Sequence, residues 1–171
     1  MGLTRRLGPR THDQVPGGDS KCETGPMESY PRLRTVVLDS VDARRLAEFY
    51  RELLGFSYRA GDEPPAAGEP DPRGDDWLVL LDNSGEARLA VQQTEELAVT
   101  TWPDPTVPMQ LHLDLTVGSP EELVRQHDRA LELGATVRLD RTEDPDEPLF
   151  VFADPDGHPF CIFVSPDNPA P

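Results

Sequence analysis

The sequence contains the same strand–helix pattern twice, and this repeat limits most strongly the folds that the chain can adopt. A β-branched run over 33–38 leads to Asp42, a residue typical of helix N-caps. An alternating run over 111–117 leads in the same way to Ser119, which opens a capping box with proline at the first helical position. Thr35 to Asp42 and His112 to Ser119 are both seven residues, so strand and helix start superpose without a gap.

Three further strand-like runs follow each predicted helix. A stripe of apolar residues at helical spacing follows Asp42 and Ser119, and it ends at Gly55 and Gly134, where helix C-caps favour glycine. In the second helix the inward face is predicted to comprise Leu123, Val124, His127, Ala130, Leu131 and Leu133. The later strands are predicted at 56–58, 77–81, 88–92, 136–139, 150–153 and 160–164. The pattern predicts an α+β fold of two tandem βαβββ modules, with module 1 over 32–99 and module 2 over 109–165.

Proline clusters separate these elements. The chain has 19 prolines, and many lie in 64–72, 103–108 and 145–159. Proline lacks the amide hydrogen that a helix or a strand ladder needs, so regular structure is expected between the clusters. The prolines therefore support the same division into modules.

The charge balance excludes several classes of function. The 171 residues include 32 acidic and 16 basic side chains, which gives a formal net charge of -16. A nucleic-acid-binding surface needs a basic face, so the acidic balance argues against nucleic acid as a partner. No apolar run reaches the roughly 20 residues of a membrane-spanning helix. Cys22 and Cys161 are the only cysteines, which excludes a disulfide scaffold. The expected partner is a neutral or cationic small molecule.

The two ends of the chain differ from the modules. Residues 1–30 lack hydrophobic periodicity and are predicted to be a disordered N-terminal tail, and 167–171 a C-terminal tail, around a domain over 31–166. Translation could begin at Met1 or at Met27, since the sequence after Met27 has the pattern of a folded domain. The absence of an export or membrane signal favours the cytoplasm, and the Arg-rich, Lys-poor composition favours a bacterial gene.

Two phrases resemble a known superfamily. Residues 42–56 read DARRLAEFYRELLGF, and residues 154–160 read DPDGHPF. With the tandem modules, they resemble the vicinal-oxygen-chelate superfamily of glyoxalase I, bleomycin-resistance proteins and extradiol dioxygenases. Residues 88–92 and 112–115 are most similar to its glyoxalase-like domains. The resemblance implies a cupped, open-barrel mixed sheet with the helices outside, and a homodimer formed through sheet edges.

The resemblance also implies where a metal would bind. In metal-dependent relatives four side chains converge inside the cupped sheet, and the matching positions here are Thr35, Gln92, His112 and Cys161. His112 is a good ligand for Zn, Ni, Mn or Fe, whereas Gln92 and Thr35 are weak and Cys161 is soft. These four positions include no carboxylate to act as a general base. An unmetallated cavity is therefore favoured over a divalent metal held by His112, Gln92 and Cys161.

Each candidate also has a structural alternative. His112 is either a ligand contact or a hydrogen-bonded core residue, and Cys161 is either a metal ligand or a small buried apolar residue. Asp114, on the same strand face as His112, either orients that imidazole or is a solvated charge. Gln92 offers a cavity-wall amide. Trp102 either closes the pocket mouth by stacking on a planar ligand or packs within its own segment.

Three functions follow from these alternatives. The favoured one is the binding of a small organic molecule, cationic or aromatic, in the cavity, as in bleomycin-resistance proteins. The second is a metal-dependent lyase, isomerase or dioxygenase with a reduced ligand set around His112 and Gln92. The third is a scaffold module without a ligand. The predicted binding residues are Thr35, Gln92, His112, Asp114, Trp102 and Cys161.

Overall fold

The computed structural model describes residues 31–165 and 167–168, so the predicted N-terminal tail and most of the C-terminal tail lie outside the described residues. Neither helix in this part of the chain is long and apolar enough to cross a membrane. The elements of module 1 are β1 (Val36–Ser40), α1 (Ala43–Leu54), β2 (Ser57–Tyr58), β3 (Trp77–Leu81) and β4 (Ala87–Gln93). Those of module 2 are β5 (Leu113–Val117), α2 (Pro120–Glu132), β6 (Thr136–Asp140), β7 (Leu149–Ala153) and β8 (Pro159–Val164).

Each module forms one four-stranded mixed sheet. The strand orders are β1-β4-β3-β2 and β5-β8-β7-β6, with one parallel pair, β1 with β4 or β5 with β8, in each sheet. The remaining pairs are antiparallel. The sheets stay open, and the predicted α+β fold of tandem βαβββ modules with a cupped, unclosed sheet is confirmed.

Two strands begin later than the sequence predicts. Pairing with β4 starts at Val36, and pairing with β8 starts at Leu113. Thr35 and His112 therefore precede their strands. His112 faces the start of β8, where Pro159 has no amide hydrogen to donate, so the ladder cannot extend to it.

Helix α1 begins and ends where its capping residues predict. The Asp42 carboxylate accepts a hydrogen bond from the Arg45 amide at 3.0 Å, and Gly55 adopts a left-handed conformation with φ of 66°. Its buried stripe includes Leu46, Phe49 and Tyr50, which pack against the sheet. The helix therefore lies on one face of the sheet and leaves the opposite face free.

Helix α2 buries a narrower face than predicted. Ser119 caps it through a 3.2 Å hydrogen bond from the Glu122 amide, and Leu123 and Ala130 are buried. Val124 and Leu131 were expected on the inward face, but they are 54% and 40% exposed. The prediction was wrong because each follows a buried residue by one position, which turns it about 100° around the helix.

An aromatic cluster joins the two modules. Phe160 of β8 stacks on Phe152 of β7 with a centroid distance of 5.1 Å, and Phe49 and Tyr50 of α1 contact it edge-on at 5.8 and 6.3 Å. Phe160, Phe152 and Tyr50 are fully buried. Since α1 belongs to module 1 and β8 to module 2, this cluster stabilises their association.

Arg44 anchors the long connection between β2 and β3. Its guanidinium binds Asp71 through Nε at 2.7 Å and donates to the carbonyl of Asp62 at 2.8 Å. The buried Asp62 carboxylate accepts from the Val79 amide of β3 at 3.0 Å. The proline-rich gap in the sequence therefore holds an ordered connection, which the sequence pattern did not predict.

Candidate functional site

A cleft of about 370 Å³ lies between the modules. Its walls are β1 residues 37–39, Gln92 of β4, and residues 97–100, 108–111 and 156–159. Leu38 and Ser40 are buried on the helix side of β1, so the alternation of a strand places Val37 and Asp39 on the opposite, cleft-facing side. The cleft therefore uses the sheet face that α1 leaves free.

The cleft wall carries an acidic side chain, Asp39, without an Arg or Lys beside it among the described residues. Asp39 lies beside Gln92 in the parallel register, and both side chains are exposed. Within residues 31–165 and 167–168, Asp39 forms no ion pair, and the lining includes no Arg or Lys. Most other wall residues are apolar. The walls therefore offer the unpaired Asp39 carboxylate and the amides of Gln92 and Gln110 beside apolar surface.

The turn that precedes β8 is built around the Asp154 carboxylate. It accepts hydrogen bonds from the Tyr50 hydroxyl at 2.9 Å and from the amides of Asp156 and His158 at 2.9 and 3.0 Å. It also contacts His158 Nδ1 at 2.9 Å. Burial, reinforced by the charge of Asp154, raises the pKa of Tyr50 well above its ordinary value. Tyr50 therefore keeps its proton and holds α1 on the turn.

Asp156 ties the same turn to module 1. Its carboxylate pairs with the Arg45 guanidinium and accepts a hydrogen bond from the Ser40 hydroxyl. The next residue, Gly157, has φ of 94°, and a Cβ there would overlap the side chain of Val99. Glycine is required at this position, because both the backbone conformation and the close approach of Val99 exclude a side chain.

His158 lines the cleft beside this network. Burial alone would lower its pKa, but the hydrogen bond and charge of Asp154, with the charges of Asp156 and Asp39, outweigh burial and raise the pKa above 6.5. The raised pKa stabilises the fold below pH 6.5, and this contribution is lost as pH rises through the raised value.

A second group of side chains lies at the start of β5. His112 Nε2 is 3.3 Å from Asp114 Oδ1, and these two residues and Cys161 offer ligand atoms within 4.8 Å of one another. The His112 and Asp114 side chains are 42% and 60% exposed, so the group is open to solvent. Asp114 supplies the carboxylate that the four positions implied by the resemblance lack.

The donor set of this second group suits zinc best. Imidazole nitrogen, carboxylate oxygen and thiol sulfur are all zinc ligands, whereas sulfur is a poor partner for Mn. Burial, followed by the charge of Asp114, raises the pKa of the Cys161 thiol to about 11. Metal binding here would release the thiol proton.

The remaining predicted site residues occupy other places. Thr35 donates its hydroxyl hydrogen bond to the adjacent Val36 carbonyl at 3.2 Å and does not line the cleft among the described residues. Trp102 is half-buried in a loop that closes on itself through a 3.1 Å bond from the Thr101 amide to the Val107 carbonyl. The residues that flank this loop line the cleft. The stacking of Trp102 on a planar ligand stays a prediction.

Comparison with known proteins identifies the family. A family model described as a glyoxalase-like domain matches residues 35–163, most of the chain. This chain belongs to the glyoxalase-like domain family. That assignment places it in the vicinal-oxygen-chelate superfamily and confirms the resemblance of 42–56 and 154–160. No curated protein matches the sequence significantly.

Solved structures share the fold of this glyoxalase-like domain at low identity. A glyoxalase/bleomycin resistance protein/dioxygenase family enzyme from Burkholderia phytofirmans is 15% identical, with a TM-score of 0.54 over 77% of this chain and 96% of its own. The fosfomycin resistance protein FosX from Listeria monocytogenes is 15% identical, with a TM-score of 0.57 over 80% of this chain and 95% of its own. A glyoxalase/dioxygenase from Nostoc punctiforme is 23% identical, with a TM-score of 0.54 over 79% of this chain and 91% of its own.

Sequence reasoning missed several residues at the site of this glyoxalase-like domain. Strand alternation places Asp39 on the same face as Val37, but nothing in the sequence marks that face as a cleft wall. His158 belongs to the 154–160 motif, and sequence spacing gives no sign that the cleft reaches it. Residues 97–100 and 108–110 lack periodicity, so only the folded chain reveals them as cleft walls.

Proposed function

We propose that this protein binds a small organic molecule, neutral or cationic, in the cleft. The observation that carries this proposal is the unpaired Asp39 carboxylate in a mostly apolar wall without Arg or Lys among the described residues. The cleft volume of about 370 Å³ lies within the range of small-molecule sites, roughly 300–1,000 Å³. The polar groups of such sites orient the ligand, and Gln92 and His158 are available for this.

The charge of the whole chain supports the same preference. A formal net charge of -16 creates a negative potential that attracts cations and repels anions, and a cleft with low-dielectric walls concentrates that field. An aromatic cation would meet both the apolar wall and Asp39. This is the ligand class that the resemblance to bleomycin-resistance proteins implies.

Three probes of similar shape test the charge preference. We expect phenethylamine to bind more tightly than phenethyl alcohol, and phenylacetate to bind most weakly, in titrations followed by tryptophan fluorescence. Trp77, which pairs with Gln92 across β3 and β4, is the expected reporter. Asp39→Asn should reduce the preference for the amine over the alcohol by about threefold to fivefold, the worth of a solvent-accessible ion pair.

A matched control separates local from global charge. Asp75→Asn removes the same charge from an exposed position outside the cleft walls, and it should leave the amine preference almost unchanged. An equal loss in both variants would contradict a specific role of Asp39. Tighter binding of phenylacetate than of phenethylamine would contradict the proposed ligand class.

The group of His112, Asp114 and Cys161 supports a second candidate, a metal-dependent lyase, isomerase or dioxygenase. These three residues would hold a divalent metal, and zinc suits their donor atoms best. When bound, the metal would supply Lewis-acid polarisation of a substrate oxygen or activation of a water molecule. A FosX mutant from Listeria monocytogenes, 16% identical to this chain, has been crystallised in complex with Mn(II), but here a sulfur donor stands in the group.

Zinc titration of the metal-free protein tests this second candidate. We expect one zinc ion per chain and a raised melting temperature. His112→Ala should weaken zinc binding more than about 100-fold, because even an outer-shell partner contributes about 10–100-fold. His127→Ala provides the control, since His127 packs on Phe150 of β7 at 4.5 Å, outside the group. Equal zinc affinity in His112→Ala and the wild type would reject this site.

A further inference from the structure

His158 and the buried Asp154 form a hydrogen-bonded pair at the wall of the cleft. His158 Nδ1 is 2.9 Å from Asp154 Oδ2, and the Asp154 side chain is fully buried. An ionised carboxylate is only an acceptor, so Nδ1 carries the hydrogen and donates. The pair therefore holds the imidazole in one orientation and, in its neutral form, in one tautomer.

The second ring nitrogen is left for the cleft. The His158 side chain is 17% exposed and belongs to the cleft wall. Within the described part of the chain, Nε2 makes no hydrogen bond. In the neutral ring with Nδ1 protonated, Nε2 carries the basic lone pair. A molecule or a water in the cleft can therefore reach the basic Nε2 of His158, while Asp154 holds Nδ1 in place.

The surrounding charges outweigh burial and make the His158 imidazole a stronger base than an isolated one. Asp154 and Asp156 of the same turn and Asp39 of β1 raise the pKa of His158 above its ordinary 6.5. From α1, the Tyr50 hydroxyl binds Asp154, and Arg45 pairs with Asp156.

We propose that His158 is the general base of the cleft and that Asp154 is its positioning residue, so that the cleft binds neutral or cationic molecules and removes a proton from them or from a water beside them. The inference rests on the proposed binding function of the cleft. In ester hydrolysis, Nε2 takes a proton from water as the water oxygen bonds to the acyl carbon. The acyl–oxygen bond then breaks, the alkoxide leaves, and the imidazolium returns the proton to it or to solvent.

Hydrolysis of p-nitrophenyl acetate, a small neutral aromatic ester, tests the base. With the full chain we expect a rate above buffer that rises with pH to a plateau, with an apparent pKa above 6.5, because only the neutral ring accepts a proton. His158→Gln should lose this rate to the buffer level. His127→Gln removes an imidazole outside the cleft and should keep it. A wild-type rate equal to buffer, or an unchanged rate in His158→Gln, would overturn the proposal.

Variants of the neighbouring acids test the positioning role. Asp154→Asn should move the pH profile to lower pH, because it removes the charge and the acceptor that favour the protonated ring. Asp39→Asn leaves the turn intact and should move the profile in the same direction by less, so the test stands even if Asp154→Asn fails to fold. A profile that neither variant moves would contradict the pairing.

The same experiment separates this inference from the proposed binding function. Saturation of the rate with p-nitrophenyl acetate, and competition by phenethylamine, report binding in the cleft. Saturation without dependence on His158 would reject the general base and leave binding supported. A rate that depends on His158 but neither saturates nor responds to phenethylamine would count against the binding cleft.

Discussion

Asp154→Ala is expected to destabilise the protein by about 3–5 kcal/mol, the cost of removing one partner from a buried charged network. The substitution leaves the Tyr50 hydroxyl, His158 Nδ1 and two turn amides without their acceptor. Each buried donor left unpaired costs about 1–3 kcal/mol where water cannot reach it. Chemical denaturation measures the free energy of unfolding, and the deficit should be visible as a lower midpoint.

The control for this variant is Asp75→Ala. Asp75 is exposed, and no hydrogen bond to its side chain is formed among the described residues, so the change should stay within about 0.5 kcal/mol. The deficit of Asp154→Ala should also shrink as pH rises through the raised pKa of His158, because the charged pair contributes only while the ring is protonated. Equal stability of the two variants would contradict the network.

Phe160→Ala is expected to cost about 3–5 kcal/mol, the range for deleting a fully buried aromatic ring. The cavity would open between Phe49 of α1 and Phe152 of β7, where the modules meet. Thermal unfolding should show a lower midpoint. Phe163→Ala, a half-buried ring on the same strand, should cost clearly less. A cost for Phe163→Ala equal to that for Phe160→Ala would contradict the placement of the core.

The architecture was predictable because its signals are local. Helix starts follow from capping side chains such as Asp42 and Ser119, and helix ends from Gly55 and Gly134. Each capping residue contacts backbone groups within about four residues along the chain, so sequence spacing alone predicts where the helix begins or ends. The strand starts at Val36 and Leu113 were missed, because they depend on where a distant strand offers a partner.

The candidate site was only partly predictable. The resemblance implies His112 and Cys161 as site positions, and strand alternation predicts that Asp114 lies on the same strand face as His112. The cleft could not, because it depends on how the segment between the modules folds back against the turn at 156–159. Such contacts join residues far apart in the chain, and neither periodicity nor composition records them.

The most direct measurement is a two-dimensional amide NMR titration of the full chain with phenethylamine. We expect saturable shifts at residues 37–39, at Gln92, and at 97–100 and 156–158, with little change near His112. Shifts that do not saturate, or that lie only outside these cleft walls, would contradict the claim that the cleft binds small neutral or cationic molecules.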